Sequence, residues 1–219
     1  VSHELRTPLT VLSGFIENLQ IDEELNAESS ARPLDLMAQQ TARMSRIIED
    51  LLLLARLESD TNSNRNDEID VSGLILSVVD EVESLTPDVP RNECEITSSR
   101  RLQGDEKQLR SVITNLLVNA VNHTPADGAI QVIWRDQGPR SLLEVIDNGE
   151  GIAPEHIPRL TERFYRVDAG RSRDRGGTGL GLAIVKHILQ NHDGRLEIRS
   201  RLGEGSQFVC RFSATRLLE

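Results

Sequence analysis

Apolar residues recur every three or four positions through the first sixty residues, and that spacing narrows the possible architectures more than anything else in the chain. Leu5, Leu9, Leu12, Ile16 and Leu19 are separated by 4, 3, 4 and 3 residues, and Met37, Thr41, Met44, Ile48, Leu51, Ala55 and Glu58 keep the same alternation. A heptad seam of this kind describes two helices packed at a shallow angle. The acidic, polar stretch 22–32 is the expected turn, with Pro33 in the first turn of the second helix. Each helix buries only one stripe, yet the second also carries Leu52, Leu53 and Leu54. One partner helix does not cover that much apolar surface. Two copies joined in a four-helix bundle do, so a homodimer is expected.

The polar run 60–68 has no apolar period and reads as a boundary: a helical domain over 1–60, a linker over 61–68 and a second domain over 69–219. From there helix and strand patterns mix. Val71–Leu85, Asp105–Asn122 and Leu180–Asn191 read as helices; Cys94–Ser98, Ala129–Arg135, Leu142–Asp147, Arg195–Ser200 and Gln207–Phe212 read as strands. The Gly- and Arg-rich stretch 149–179 fits neither period, and a loop that long is usually functional. Aromatic residues make up only 3% of the 219 residues, so Leu, Ile, Val and Ala must build both cores.

Net charge is −10, which argues against a phosphate-backbone binder, so no nucleic-acid partner is expected. Cys94 and Cys210 are too few for a disulfide framework and lack metal-ligand spacing, which suits a reducing, cytoplasmic setting. No apolar run reaches 18 residues, so no membrane span is expected within the chain. Because Val1 opens inside a helical pattern, the chain is expected to be a piece of a longer protein, attached to the membrane only through N-terminal segments that are absent here.

Four constellations carry chemistry. In Ser2-His3-Glu4-Leu5-Arg6-Thr7-Pro8, His3 and Thr7 stand four apart on one helix face, off the Leu5/Leu9 seam. A neutral imidazole attacks phosphorus well when its other nitrogen is held, and Glu4 can accept from Nδ1–H. Pro8 should bend the helix. On the Asp105–Asn122 helix, Asn115 and Asn119 project from one face, where two amide oxygens can share a hard divalent cation with phosphate oxygens and water. Asp147-Asn148-Gly149-Glu150-Gly151-Ile152 ends an apolar strand with a carboxylate that can accept from the exocyclic amine of adenine. Gly176-Gly177-Thr178-Gly179-Leu180-Gly181 precedes a helix, where backbone N–H groups receive phosphates. Taken singly, each has an ordinary reading: a surface His, two surface amides, a turn, a flexible loop.

Together and in order, His3-Glu4-Leu5-Arg6-Thr7-Pro8, Asn115…Asn119, Asp147-x-Gly149-x-Gly151, Phe164-Tyr165-Arg166, Gly177-x-Gly179-x-Gly181 and Gly203-Glu204-Gly205 resemble the boxes of the sensor histidine kinases of two-component systems. The resemblance covers essentially the whole chain. It implies a helical hairpin forming a dimeric four-helix bundle, followed by an α/β sandwich with a mixed sheet and helices on one face. It implies ATP and Mg²⁺ as cofactors, a response-regulator receiver domain as partner, and a cytoplasmic core of a protein of the bacterial inner membrane. His3 would be the phospho-acceptor, Glu4 its base, and Thr7 the residue that places water for regulator dephosphorylation. Asn119 would be the main Mg²⁺ ligand, supported by Asn115. Asp147 would read adenine, Phe164 would anchor the loop over ATP, Arg166 would reach the phosphates, and Gly177, Gly179 and Gly181 would form the phosphate loop. Asn122, His123, Gly149, Gly151, Ile152, Thr178 and Leu180 complete the expected nucleotide site.

One departure stands out. Asn122 occupies a place where many relatives carry Lys, and Arg159, Arg163, Arg166, Arg171, Arg173 and Arg175 are the candidate cations to compensate, the last three reading more readily as part of a solvated Arg-rich loop. Two other activities are compatible with the fold: a hydrolytic ATPase, which would need a Glu at Asn115, and a nucleotide-binding scaffold with no chemistry.

Overall fold

The computed structural model describes residues 2–21, 27–59, 67–86, 90–167 and 177–218, with side chains of 2–5, 17–21 and 27–31 left undescribed within their helices. Two helices, α1 (Ser2–Ile21) and α2 (Ala27–Ser59), come first and pack on each other. Of the expected turn at 22–32, residues 27–32 are helical and 22–26 lie outside the described residues. α2 is already helical at Ala27, so Pro33 lies inside it rather than in its first turn.

The buried stripe of α2 also sits one residue from the expected seam. Ile47, Leu54 and Leu57 are buried, whereas Ile48 and Leu52 are about half exposed. Leu9, Val11 and Ile16 on α1 are likewise exposed. Within one chain, the inner face of α2 serves α1 and the second domain, and a second apolar stripe faces outward.

The second domain begins earlier than the polar linker suggests, because Asp67 and Glu68 open strand β1 (Asp67–Ile69). Helix α3 (Val71–Leu85) starts at Asp70, whose carboxylate accepts from Gly73 N–H at 3.1 Å and caps the first turn. Next come β2 (Arg91–Ile96), β3 (Arg101–Gly104) and α4 (Glu106–His123). β4 (Ala129–Gln137) and β5 (Arg140–Asp147) form a hairpin. Helix α5 (Gly181–Asn191) precedes a second hairpin, β6 (Arg195–Arg201) with β7 (Gly205–Phe212), and a short β8 (Leu217–Leu218).

The main sheet runs β2-β4-β5-β7-β6, with β2 parallel to β4 and the other pairs antiparallel, so it is mixed. A small antiparallel sheet, β1-β3-β8, closes one side. One apolar core fills the space between α3, α4, α5 and the main sheet, anchored by Trp134 edge-to-face on Phe212 at 5.9 Å. Ile47, Leu54 and Leu57 of α2 belong to the same core, so the two halves are packed together.

His192, just past α5, ties two helices. Its Nε2 accepts from the backbone N–H of Asp105, the cap of α4, at 3.1 Å, while Nδ1–H donates to Ile188 O at 2.8 Å. That arrangement requires a neutral ring, and burial pushes the His192 pKa down accordingly.

Candidate nucleotide and phosphotransfer site

α4 sorts its residues by face. Leu109, Val112, Ile113, Leu116, Leu117 and Ala120 are buried against the sheet, which leaves Asn115 and Asn119 on the opposite side. The amide of Asn115 is oriented from within the helix, since its Nδ2 donates to Ser111 O at 2.8 Å and to Ser111 Oγ at 3.2 Å. Its Oδ1 is thereby left on the side of Gly181, at the start of α5. Asn119, one turn on, makes no side-chain hydrogen bond with the described residues and is only half-buried. Asn122 is also half-buried on the last turn.

Asp147 ends the row Leu143, Val145, Asp147 on the helix-covered face of β5, following the two-residue period of a strand. It is 5% exposed, and its Oδ1 accepts from Gly149 N–H at 3.0 Å. Burial raises the Asp147 pKa, opposed by the backbone N–H groups of Gly149 and Ser206 and by His123. Behind it the chain turns tightly. Glu150 N–H donates to His123 O at 3.2 Å, and His123 Nδ1 meets Glu150 Oε1 at 2.7 Å, which joins this loop to the end of α4. Gly151 has φ +67°, and a Cβ there would run into Arg201 O, so only glycine fits. Ile152 N–H is held by Ser200 Oγ at 2.8 Å.

The glycine turn before α5 folds against Asn115 of α4 and the backbone of Phe164. Phe164, itself at φ +62°, donates its N–H to Gly179 O at 2.8 Å. Gly179 has φ +72°, and a Cβ on it would press on the Phe164 backbone, while Arg166 lies against Gly177 and Gly179. Leu180 is fully buried and seats the turn in the core. Thr178 Oγ1 accepts from Leu180 N–H at 3.3 Å. A Cβ on Gly181 would stand 2.5 Å from Asn115 Oδ1, so the start of α5 and the amide face of α4 are in direct contact. Gly181→Ala is therefore expected to push the Asn115 amide out of line. Overpacking of this kind costs about 1–3 kcal/mol of folding stability, so the melting temperature should fall while the fold persists, and the displaced amide should weaken ATP binding. Calorimetry with ATP, alongside a melting curve, checks both halves of that statement.

α4 thus meets the 177–181 turn at Asn115 and the 149–152 loop at His123, with Asn119 between them on the helix. The His3 and Glu4 side chains lie outside the described residues, though the backbone there is helical. Thr7 is exposed on α1, and Pro8 beside it is buried. Arg171, Arg173 and Arg175 also lie outside the described residues.

Several contributors have no motif. Ser111 orients Asn115 from one turn earlier on α4, and Ser200 and Ser206 brace the Asp147 loop. Asp50 and Glu58 reach this domain from α2. Asp50 Oδ2 accepts from Thr178 Oγ1 at 2.8 Å, and Glu58 pairs with Arg163 and lies 3.5 Å from His187 Nε2. A carboxylate that acts across a domain contact leaves no local pattern.

Comparison with known proteins agrees with this geometry. Residues 1–60 match the family model for the His Kinase A (phospho-acceptor) domain, and residues 104–216 match that for the histidine kinase-, DNA gyrase B- and HSP90-like ATPases. The chain is 44% identical over its whole length to the phosphate regulon sensor protein PhoR of Pseudomonas aeruginosa and 39% identical over 95% of its length to PhoR of Haemophilus influenzae. It spans only 50% and 48% of those two proteins. Among solved structures, the Acinetobacter baumannii histidine kinase AdeS superposes with a TM-score of 0.79 at 25% identity, covering 98% of both chains. Histidine kinase ThkA, solved in complex with the response regulator protein TrrA, has the same fold, with a TM-score of 0.76 at 21% identity over 98% of this chain and 60% of that one. With a phospho-acceptor domain matched ahead of an ATPase domain, and with a sensor protein aligned along its full length, the chain belongs to the sensor histidine kinases.

Proposed function

We propose that this chain binds ATP in the cleft between α4 and the 177–181 turn, transfers the γ-phosphate to His3, and passes the phosphoryl group to an aspartate of a response regulator. The observation that carries this reading is the contact of Gly181 with Asn115 Oδ1. It sets a helix start suited to phosphate against an amide oxygen of α4, and the far end of α4 meets the loop that follows the buried Asp147 carboxylate. In this reading Asp147 accepts from the adenine amine, the N–H groups of 177–181 and Arg166 hold the phosphates, and Phe164 anchors the neighbouring loop. His3 Nε2 attacks phosphorus while Glu4 holds Nδ1–H.

Mg²⁺ suits the residues present. Asn115 Oδ1 and Asn119 are neutral oxygen donors, and among the described residues no group of three His, Cys, Asp or Glu side chains forms a metal site. An ion here would take its remaining oxygens from phosphates and water, as Mg²⁺ usually does. When bound, it would neutralise charge on the phosphates.

The domain limits follow the same reading: phospho-acceptor and dimerisation domain over 1–60, ATP-binding domain over 69–219, and 61–68 between them, the last two residues joining β1. The exposed stripe of Leu34, Ile48 and Leu52 on α2 and Leu9 and Ile16 on α1 supports a second copy as its cover. Among the described residues no helix is long and apolar enough to cross a membrane. We assign any attachment to the bacterial inner membrane to other parts of the protein and place this core on the cytoplasmic side.

Hydrolysis and mere nucleotide binding are the competing readings. An amide at Asn115 cannot take a proton from water, which disfavours hydrolysis. γ-Labelled ATP separates the three: label on the protein, free phosphate, or neither.

Thr7 supports an opposed activity. Thr7 is exposed one turn beyond His3, a place from which its hydroxyl can orient a water in line with the aspartyl phosphate of a docked regulator. Thr7→Ala is expected to lower regulator dephosphorylation more than tenfold and to leave autophosphorylation within about threefold. If Thr7 only packs beside Pro8, both rates and the melting temperature of the variant fall together.

A further inference from the structure

A carboxylate from the helical half reaches the glycine turn before α5. Thr178 sits in the middle of the glycine turn, its Oγ1 accepting from Leu180 N–H and donating to Asp50 Oδ2 at 2.8 Å. Asp50 is on α2, half-buried where that helix meets the second domain. Two turns later on α2, Glu58 holds Arg163, which immediately precedes Phe164, and lies 3.5 Å from His187 of α5. Asn191, at the end of α5, donates from Nδ2 to Leu57 O at 3.3 Å. α2 therefore holds the ATP-binding domain at three points, and one of them ends in a carboxylate against the phosphate turn.

A turn of this kind attracts anions. Its backbone N–H groups and the start of α5 make the local potential positive. A carboxylate fixed at hydrogen-bond distance from Thr178 offsets part of that potential before any phosphate arrives. It then repels each phosphate charge across a partly desolvated gap, where screening is weak. Asp50 is poorly solvated: burial is the largest influence and raises its pKa, Thr178 lowers it, Glu49 raises it and Arg46 lowers it. The adenine end of the cleft, at Asp147, is built on other elements and would not feel this charge strongly.

We propose that Asp50 is a further residue of the nucleotide site, one that sets the affinity of the 177–181 turn according to the negative charge of the nucleotide. While α2 holds the domain in this arrangement, the Asp50 carboxylate weakens triphosphate binding, and removing its charge strengthens it. The inference rests on the reading of 177–181 as the phosphate turn. Asp50→Asn keeps an acceptor for the Thr178 hydroxyl and deletes the charge. Glu49→Gln deletes a neighbouring charge that faces solvent.

The test is calorimetric binding of ATP and of adenosine to the whole chain at fixed Mg²⁺ concentration. The native chain is expected to bind both, Asp50→Asn to bind ATP about tenfold tighter with adenosine within twofold, and Glu49→Gln to match the native chain for both. Unchanged or weaker ATP binding by Asp50→Asn overturns the inference. An equal gain for adenosine also overturns it, since that would be a general change in the cleft, as does an equal ATP gain in Glu49→Gln. A native chain that binds adenosine but not ATP refutes the phosphate-turn reading, and the inference falls with it.

Discussion

His3→Gln should take no γ-phosphate from labelled ATP while binding ATP as tightly as the native chain. The two halves of that result come from different parts of the molecule. On the proposed reading ATP contacts Asn115, Asp147 and the 177–181 turn of the second domain, whereas His3 is on α1. Glutamine is close in size to histidine and has a higher helix propensity, so α1 and its packing should be retained. Its amide nitrogen is not a nucleophile at neutral pH, because the lone pair is delocalised. Phosphorylation should therefore drop below detection rather than decline by some factor. A variant that still takes up label would move the acceptor to another residue. A variant that lost ATP binding as well would mean that residue 3 supports the docking of the two domains.

Asp147→Asn should weaken ATP and ADP binding about tenfold or more. A carboxylate at this position receives the N–H groups of Gly149 and Ser206 from inside the protein and still has lone pairs for an exocyclic amine. An amide has one acceptor oxygen, so its NH₂ must be turned either toward a backbone N–H or toward the adenine amine. Both pair donor with donor. A lost hydrogen bond to a charged group costs about 1.5–3 kcal/mol, which gives the tenfold figure. Burial already raises the Asp147 pKa, so the uncharged amide relieves some desolvation, and the fold should tolerate the change better than the nucleotide does. Calorimetry with ADP checks this without interference from turnover. Unchanged affinity would separate Asp147 from nucleotide recognition.

Much of this site is legible in the amino-acid sequence because its chemistry is local. Asn115 and Asn119 share a face by helical period, Asp147 ends a strand whose alternation is plain, and glycines crowd the start of α5. Elements are harder to see where they are short or where tertiary contacts decide. β1, β3 and β8 have three, four and two residues, too few for a period to register. The start of α2 reads as a turn because it adjoins the polar stretch before it, but Ala27, Glu28, Ala31 and Arg32 are good helix formers, and the helix absorbs Pro33. The α2 stripe sits beside the expected one because the helix serves two partners, α1 and the second domain, and Ile47, Leu54 and Leu57 are buried for the second of them. By sequence, Glu58 is the polar end of the expected seam and Asp50 belongs to no motif. Only the docking of two domains gives them Thr178, Arg163 and His187 as neighbours.

The most direct measurement of phosphotransfer to histidine is the chemical stability of the label on the native chain. After incubation with γ-labelled ATP and Mg²⁺, the denatured protein is divided between dilute acid and dilute alkali, and the label retained in each is counted. A phosphoramidate on His3 is lost in acid and kept in alkali, and the labelled peptide should contain residue 3. Label that survives acid, or phosphate released with none on the protein, would contradict transfer to a histidine.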